Sequence, residues 1–158
     1  MNYCIDTSSL IHAWKEAYPI KNFPSIWEYM DDLIAQGSLI ASEEVFEDLK
    51  KRDESLTEWA AKRKHIFLPL EEEIQKVASA IMSEYTRLMD TRTGKSASDP
   101  WVIATAKVKG CKIITNEGPT GSFPRVRIPD VCNRMSIKHT NFLGLIQERG
   151  WVVGGKGG

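Results

Sequence analysis

SASDPWVIATAK, residues 96–107, places one carboxylate immediately before a strongly apolar run. Asp99 suits the N-cap of a helix, because an aspartate side chain accepts hydrogen bonds from the free backbone N–H groups of the first turn. Pro100 then falls at the first helical position, where proline is well tolerated. The segment therefore predicts a largely buried helix that ends at Gly110. A cap explains Asp99 alone, whereas a functional role requires other acidic residues to meet it in space.

Around this helix, the sequence alternates short apolar runs with amphipathic segments. YCID, SLIAS and CKIITNE predict buried strands, and HIFLPL predicts an extended connector or an edge strand. The predicted helices are TSSLIHAW, FPSIWEYMDDLIAQG, SEEVFEDLKKR with Ser42 as its cap, ESLTEWAAKRK, EEEIQKVASAIMSEYTRLM, a short helical turn at IPDVCNRM, and HTNFLGLIQERG. TRTGKSAS predicts a loop. This alternation is typical of an α/β domain with three α/β/α layers and a mainly parallel sheet covered on both faces.

Length and composition limit the class of protein. A chain of 158 residues with 42% apolar residues and five Trp can bury a core without a disulfide or metal. Lys plus Arg equals Asp plus Glu at 21 each, so the chain has no net charge. This balance disfavours a protein that coats nucleic acid through a strongly basic surface, but it permits a local basic rim around an acidic pocket. The apolar runs are too short to span a bilayer, and no secretory leader is recognisable, so we expect a cytoplasmic protein without a membrane partner. We expect one domain over residues 1–152 and a flexible Gly-rich tail over residues 153–158.

The cysteines and histidines argue against a zinc site. Cys4, Cys111 and Cys132 are widely spaced, no CxxC pair occurs, and the three histidines are isolated. These features predict reduced and mostly buried thiols. Disulfides are rare in the compartment that we expect for this chain.

Every clear strand has a carboxylate at its exit or on the helix next to it. Asp6 ends the first strand, Glu117 follows the third, and Asp99 opens the helix that feeds the third. The helix after the second strand carries three more acids, Glu44, Glu47 and Asp48. Ligands of parallel α/β sheets bind outside the carboxyl ends of the strands, so these side chains are expected to converge.

Converging carboxylates repel one another in a partly desolvated cleft unless a cation neutralises them. Oxygen donors without His or Cys suit Mg²⁺ or Mn²⁺. Such ions chiefly serve phosphoryl chemistry, because they activate water and stabilise the charge of the transition state. The acids therefore predict a Mg²⁺ or Mn²⁺ site.

Four motifs resemble, in this order, those of PIN-domain nucleases: YCIDTSSLI, ASEEVFEDL, SDPWVIATAK and IITNE. RIPDVC followed by NFLGLIQERGW is similar to a lesser-known bacterial branch of PIN-like proteins. The resemblance covers most of the chain and implies a PIN-like fold. It also implies a metal-dependent ribonuclease, as in the VapC-like toxins of toxin–antitoxin pairs, that leaves 5′-phosphate and 3′-hydroxyl ends. The implied partners are RNA, a cognate antitoxin protein and a second copy of the chain.

Carried over residue by residue, the resemblance places the first acid of the family at Asp6 and the third at Asp99. The fourth falls on Glu117, where Asp is common in the family. Ser8 stands where the first motif often has Asn. The resemblance thus implies a catalytic and metal-binding set, listed in chain order as Asp6, Asp48, Asp99 and Glu117.

The second acid of the set has an alternative. The family usually has a Glu in a V-x-x-E-L pattern, whereas Val45 and Leu49 here frame Asp48, which is one methylene shorter. Glu44 lies one turn away on the same helix face and is the alternative ligand.

Two other enzyme motifs are only partly matched. TGKS at 93–96 resembles the end of a Walker A loop, but Met89 stands where the leading Gly belongs and a helical pattern precedes it. We therefore expect a solvated loop, in which Lys95 and Ser96 would at most touch a substrate phosphate. IDTSS resembles the phosphoryl-accepting motif of haloacid-dehalogenase-type phosphatases, which needs a second Asp at the position of Ser8.

A PIN-like module that binds RNA or protein without catalysis is the remaining alternative, and the intact set of acids disfavours it. The basic clusters KKR at 50–52 and KRK at 62–64 predict solvated helix faces. If they flank the acidic pocket, they would guide an RNA backbone towards it. No aromatic motif of the kind that stacks RNA bases is present.

Overall fold

A five-stranded parallel β-sheet with the order β3-β2-β1-β4-β5 forms the centre of the fold. The strands are β1 Tyr3–Ile5, β2 Leu39–Ser42, β3 Phe67–Leu68, β4 Lys112–Ile114 and β5 His139–Thr140. The computed structural model describes residues 2–86, 88, 97–120 and 126–154. The predicted α/β class with a parallel sheet is confirmed.

Helices cover both faces of this sheet. In the described residues they are α1 Thr7–His12, which continues into a π-helical turn Ala13–Ala17, α2 Pro24–Ala35, α3 Glu43–Arg52, α4 Glu54–Ala61, α5 Glu72–Glu84, α6 Asp99–Lys109, α7 Ile128–Met135 and α8 Phe142–Arg149. All three residues of β1 are buried. Because successive strand side chains point to opposite faces, neither face of β1 is open to solvent.

The strand order reverses between β1 and β4. The chain runs outward from β1 through β2 to β3, then crosses to the other side of β1 for β4 and β5. Cys4 accordingly lies between Ile40 of β2 and Ile113 of β4. Connections that leave two neighbouring strands in opposite directions open a crevice at the carboxyl ends of those strands. The fold therefore directs the exits of β1 and β4 to a common site.

Helix α6 begins at Asp99 itself, so the prediction that Asp99 caps this helix was wrong. The N-cap is Ser98, whose carbonyl accepts the Val102 N–H at 2.9 Å, and Pro100 is the second helical residue. Proline is tolerated there as well, because the N–H groups of a first turn have no intrahelical acceptor. Gly110 ends the helix in the left-handed conformation, as predicted, with φ of 69°. The Asp99 carboxylate therefore needs another explanation.

Other elements differ in detail from the sequence prediction. Helix α5 ends at Glu84, although the apolar side predicted for it continues through the buried Tyr85 and Leu88. The segment HIFLPL contains the edge strand β3, which resolves the two alternatives. Strand β5 was missed, because two residues carry no periodic pattern. The predicted TGKS loop at 93–96 lies outside the described residues.

The core contains the residues that the helical and strand patterns predicted. Ile26, Met30, Leu33 and Ile34 of α2 are buried. The three cysteines are free and buried, which confirms their predicted state. Within the described ranges, no helix has the length and apolar character needed to cross a bilayer.

Ser136 gives a test of this fold, because it follows α7 in the left-handed conformation with φ of 58°. A side chain in this region is strained, whereas glycine adopts it freely. Ser136→Gly should raise the free energy of unfolding by about 0.5–1 kcal/mol in urea titrations. Ser136→Ala keeps the strain and should bring no such gain. A glycine variant no more stable than the wild type would contradict the assigned helix end.

Candidate active site

Asp6 lies where β1 ends and α1 begins, and hydrogen bonds hold its carboxylate from several sides. Oδ1 accepts the Ser9 backbone N–H at 2.8 Å, so Asp6 is the N-cap of α1. The Ser8 hydroxyl donates between both oxygens at 3.0 and 2.9 Å, and the Thr115 hydroxyl donates to Oδ2 at 2.5 Å. Asp6 is only 1% exposed, and burial raises its pKa although these hydrogen bonds act in the opposite direction. Of the candidate acids, Asp6 is therefore the one whose side chain caps a helix.

The same hydroxyl groups fix the chain that leaves β4. Thr115 follows β4 directly, and its oxygen accepts the Glu117 N–H at 3.1 Å. The Ser8 oxygen likewise accepts the Asn116 N–H at 3.1 Å. Each hydroxyl has one proton, which points to Asp6, so its oxygen is free to accept these backbone donors. The start of the segment after β4 is thereby held beside the Asp6 carboxylate.

Glu117 and Asp99 are brought together at this site. The Asp99 side chain lies within hydrogen-bonding reach of Glu117. Burial and then the charge of Asp6 raise the pKa of Glu117 to about 7, whereas Asp99 and Arg127 act to lower it. Glu117 Oε2 is buried and has no hydrogen-bond partner among the described residues. Glu117 thus interacts with both Asp6 and Asp99.

Asp48 is connected to this group through Thr7. The Thr7 hydroxyl donates to Asp48 Oδ2 at 3.0 Å and lies 3.2 Å from Ser98 Oγ. Since the single Thr7 proton points to Asp48, Ser98 donates to Thr7. Ser98, which precedes Asp99, is therefore linked to Asp48 by two consecutive hydrogen bonds through the Thr7 hydroxyl.

The other acids of α3 have different surroundings. Ser42 caps α3 as predicted, and its oxygen accepts the Glu44 N–H at 3.2 Å. Partial burial and neighbouring carboxylates raise the pKa of Glu44. Glu47 forms an ion pair with Lys50 at 2.9 Å on the surface of the helix. Asp48 is thus the acid of this helix for which a hydrogen bond to the β1–α1 junction is observed.

The residues that sequence reasoning missed are the hydroxyl groups beside the acids. Thr7 and Ser98 are immediate neighbours of Asp6 and Asp99, and Thr115 precedes Glu117 by two residues. A Ser or Thr next to a strand-end acid is the sequence signal that would have indicated them. Such residues are equally common at helix caps and turns, so the signal alone does not distinguish the two uses.

The donor chemistry of the four acids fits a hard divalent cation, because every ligand offered is a carboxylate oxygen. In the part of the chain that the structure describes, no group of three or more His, Cys, Asp or Glu side chains forms a ready metal-ligating cluster. Binding of a cation by these acids would therefore require their side chains to rearrange.

Comparison with known proteins identifies a family and a fold. The profile of the family described as Domain of unknown function (DUF4411) matches residues 3–153. No curated protein shows significant similarity to the sequence. A chain of the VapBC2 complex from Rickettsia felis, bound to a DNA fragment from its promoter, superimposes with a TM-score of 0.51 and 11% identity, covering 90% of this chain and 99% of that chain. FitAB bound to an IR36 DNA fragment gives a TM-score of 0.50 and 17% identity, covering 88% and 94%. The fold is therefore PIN-like.

The raised pKa of Glu117 predicts how stability depends on pH. As pH rises, the unfolded chain loses this proton near its ordinary pKa of 4.5, whereas the folded protein keeps it until about 7. Stability from the neutral side chain is thus complete below pH 4.5 and is lost as pH rises to about 7. The Gln of Glu117→Gln is neutral at every pH, so the free energy of unfolding of this variant should fall less as pH rises. Near pH 8 it should exceed the wild-type value by up to about 3 kcal/mol.

Urea unfolding without divalent ions, repeated between about pH 5 and about pH 8, measures this effect. Glu47→Gln removes an exposed carboxylate and controls for the change in net charge. Parallel profiles for the wild type and Glu117→Gln would contradict a buried, neutral Glu117.

Proposed function

The chain belongs to the DUF4411 family, and from its strand-end carboxylates we propose that it is a metal-dependent endoribonuclease that hydrolyses RNA phosphodiester bonds. One observation carries this proposal. Where the strand order reverses, Glu117 lies close enough to Asp6 for their charges to interact and within hydrogen-bonding reach of Asp99. Asp48 accepts a hydrogen bond from Thr7, the neighbour of Asp6. Ligands of parallel α/β sheets bind at such a place, and an oxygen-only donor set favours Mg²⁺ or Mn²⁺.

The four acids Asp6, Asp48, Asp99 and Glu117 would hold the cation or cations. A bound Mg²⁺ or Mn²⁺ supplies an activated water and stabilises negative charge on the phosphodiester. The Asp6 carboxylate would have a fixed orientation in this site. It accepts the Ser9 N–H as the cap of α1, and it accepts hydrogen bonds from the Ser8 and Thr115 hydroxyls. Glu117 Oε2 is buried and has no hydrogen-bond partner among the described residues, so it would be available to orient the attacking water.

The arrangement of basic residues supports RNA as the substrate. Lys50 of KKR and Lys64 of KRK both lie against the ring of Phe46, at 5.7 and 5.4 Å from its centroid. The two clusters therefore meet on α3, the helix that also carries the second acid. The Arg63 guanidinium binds Asp31 at 2.5 and 2.8 Å and Lys50 forms an ion pair with Glu47 at 2.9 Å, so part of the charge of each cluster is neutralised locally. A basic surface on the helix next to the acids suits the phosphate backbone of a nucleic acid.

A role as the toxin of a toxin–antitoxin pair, with a cognate antitoxin and a homodimeric assembly, is part of this proposal. It is supported by the motif resemblance and by the similarity of the fold to chains of VapBC2 and FitAB. The phosphatase alternative is disfavoured, because Ser8 binds the Asp6 carboxylate where that class needs a second Asp. The remaining alternative is a non-catalytic module that binds RNA or protein, and the cleavage test below distinguishes it from a nuclease.

Cleavage assays on labelled RNAs test the proposal. The wild type should cut RNA with Mn²⁺ and not with EDTA, and Mn²⁺ should raise its melting temperature by mass action. Asp99→Asn keeps the shape of the side chain but removes its charge, so we expect roughly 100-fold or greater loss of cleavage. The apo variant should be at least as stable as the wild type at neutral pH, because repulsion among the acids is relieved.

Asp32→Asn is the matched control, since Asp32 is an exposed aspartate of α2. Near wild-type cleavage by Asp99→Asn would remove Asp99 from the active site. A wild type that neither cuts RNA with Mn²⁺ nor responds to Mn²⁺ in calorimetry would contradict the proposed function and favour the non-catalytic module.

A second comparison distinguishes the acids of α3. Asp48→Ala should abolish cleavage, because it removes the carboxylate that Thr7 holds at the site. Glu47→Ala should leave cleavage nearly intact, and Glu44→Ala should have an intermediate effect through the local charge. Initial cleavage rates of the purified variants give this order directly. Loss in Glu44→Ala with retention in Asp48→Ala would show that Glu44 is the second ligand.

A further inference from the structure

The RIPDVC segment contains a buried acid that the proposed active site does not use. Asp130 is the third residue of α7 and is only 8% exposed. Its Oδ2 accepts the Arg127 backbone N–H at 2.8 Å, which satisfies a free donor at the start of the helix. An acid at this helix position commonly makes that contact, so this bond alone indicates only a helix start.

The same carboxylate also binds Thr120, near the middle of the connection between β4 and α7. The Thr120 N–H donates to Oδ1 at 3.0 Å and to Oδ2 at 3.1 Å, and the Thr120 hydroxyl donates to Oδ2 at 3.1 Å. A helix start does not require these bonds, because Thr120 lies eight residues before α7. One buried carboxylate therefore joins the middle of the connection, at Thr120, to its C-terminal end, at Arg127.

Glu117 lies between two such attachments. On its N-terminal side, its own N–H is bonded to Thr115 Oγ1 at 3.1 Å. On its C-terminal side, Thr120 is held by Asp130, three residues further along the chain. A glutamate in an otherwise exposed connection would sample many directions, and attachments this close in sequence restrict it.

We propose that Asp130 is a positioning residue, which holds Glu117 at the carboxylate site by joining Thr120 to the start of α7. Its oxygens accept hydrogen bonds from the N–H and O–H groups of Thr120 and from the Arg127 N–H, and these bonds are the basis of the positioning role. The consequence for catalysis rests on the proposed function, because it assumes that Glu117 works in the site. The RIPDVC motif then serves the active site from outside it.

Amide hydrogen exchange in the metal-free protein tests the placement without any use of activity. Thr120→Val removes the hydrogen bond from the Thr120 hydroxyl to Asp130 but keeps the Arg127–Asp130 bond at the helix start. Asp130→Ala removes the hydrogen bonds of this carboxylate to both Thr120 and Arg127. Exchange at the amides of Thr120 and Glu117 should be accelerated about 10-fold or more in both variants, while the amides of β1 and β4 stay as in the wild type. Because Thr120→Val changes one exposed residue, the test remains decisive even if Asp130→Ala folds poorly.

Calorimetric titration with Mn²⁺ alone measures the effect on the site. Both variants should bind Mn²⁺ roughly 10- to 100-fold more weakly than the wild type. The matched control is Asp53→Ala, which removes a helix-capping carboxylate from α4 and should lower the melting temperature without changing Mn²⁺ affinity.

Wild-type exchange at Glu117 in both variants would overturn the proposal. It would also be overturned if their loss of Mn²⁺ affinity were no greater than that of Asp53→Ala. A wild type that binds no Mn²⁺ would contradict the proposed function instead, and the exchange rates at Glu117 would still decide whether Asp130 positions it.

Discussion

A carboxylate that is almost completely removed from water, at the junction of β1 and α1, constrains the rest of the structure. Asp6 is 1% exposed, and an ionised group at that depth is tolerated only when hydrogen-bond donors replace its hydration shell. The Ser9 N–H and the Ser8 and Thr115 hydroxyls supply that replacement. Because Thr115 comes from the exit of β4, the strand order of the sheet and the solvation of Asp6 depend on each other.

Bringing further acids to the same place adds repulsion, and the metal-free protein reduces it with a proton. Burial and the charge of Asp6 raise the pKa of Glu117 to about 7, which favours its neutral form. A divalent cation would supply the same neutralisation more strongly and through the same oxygens. Stability and cation binding are therefore expected to oppose each other at this site, as is common where function requires like charges to meet.

The candidate acids are held by neighbouring polar side chains. Thr7, Ser98 and Thr115 form hydrogen bonds between elements, and the buried Asp130 joins Thr120 to the start of α7. Supporting groups of this kind fix the direction of the groups that they contact. The PIN-like fold thus provides the convergence of strand ends, and short polar side chains provide the orientation.

The sequence by itself determined the α/β alternation, the buried faces of the helices and the positions of the candidate acids, because these depend on local periodicity and on motif order. It misplaced the cap: Asp99 opens α6, whereas Asp6 caps α1. It also missed β5 and the hydroxyl groups that connect the acids. The tertiary structure decided these, because Thr7 meets Ser98 across 91 residues and Thr115 meets Asp6 across 109. No local pattern encodes a hydrogen bond between residues that only the folded sheet brings together.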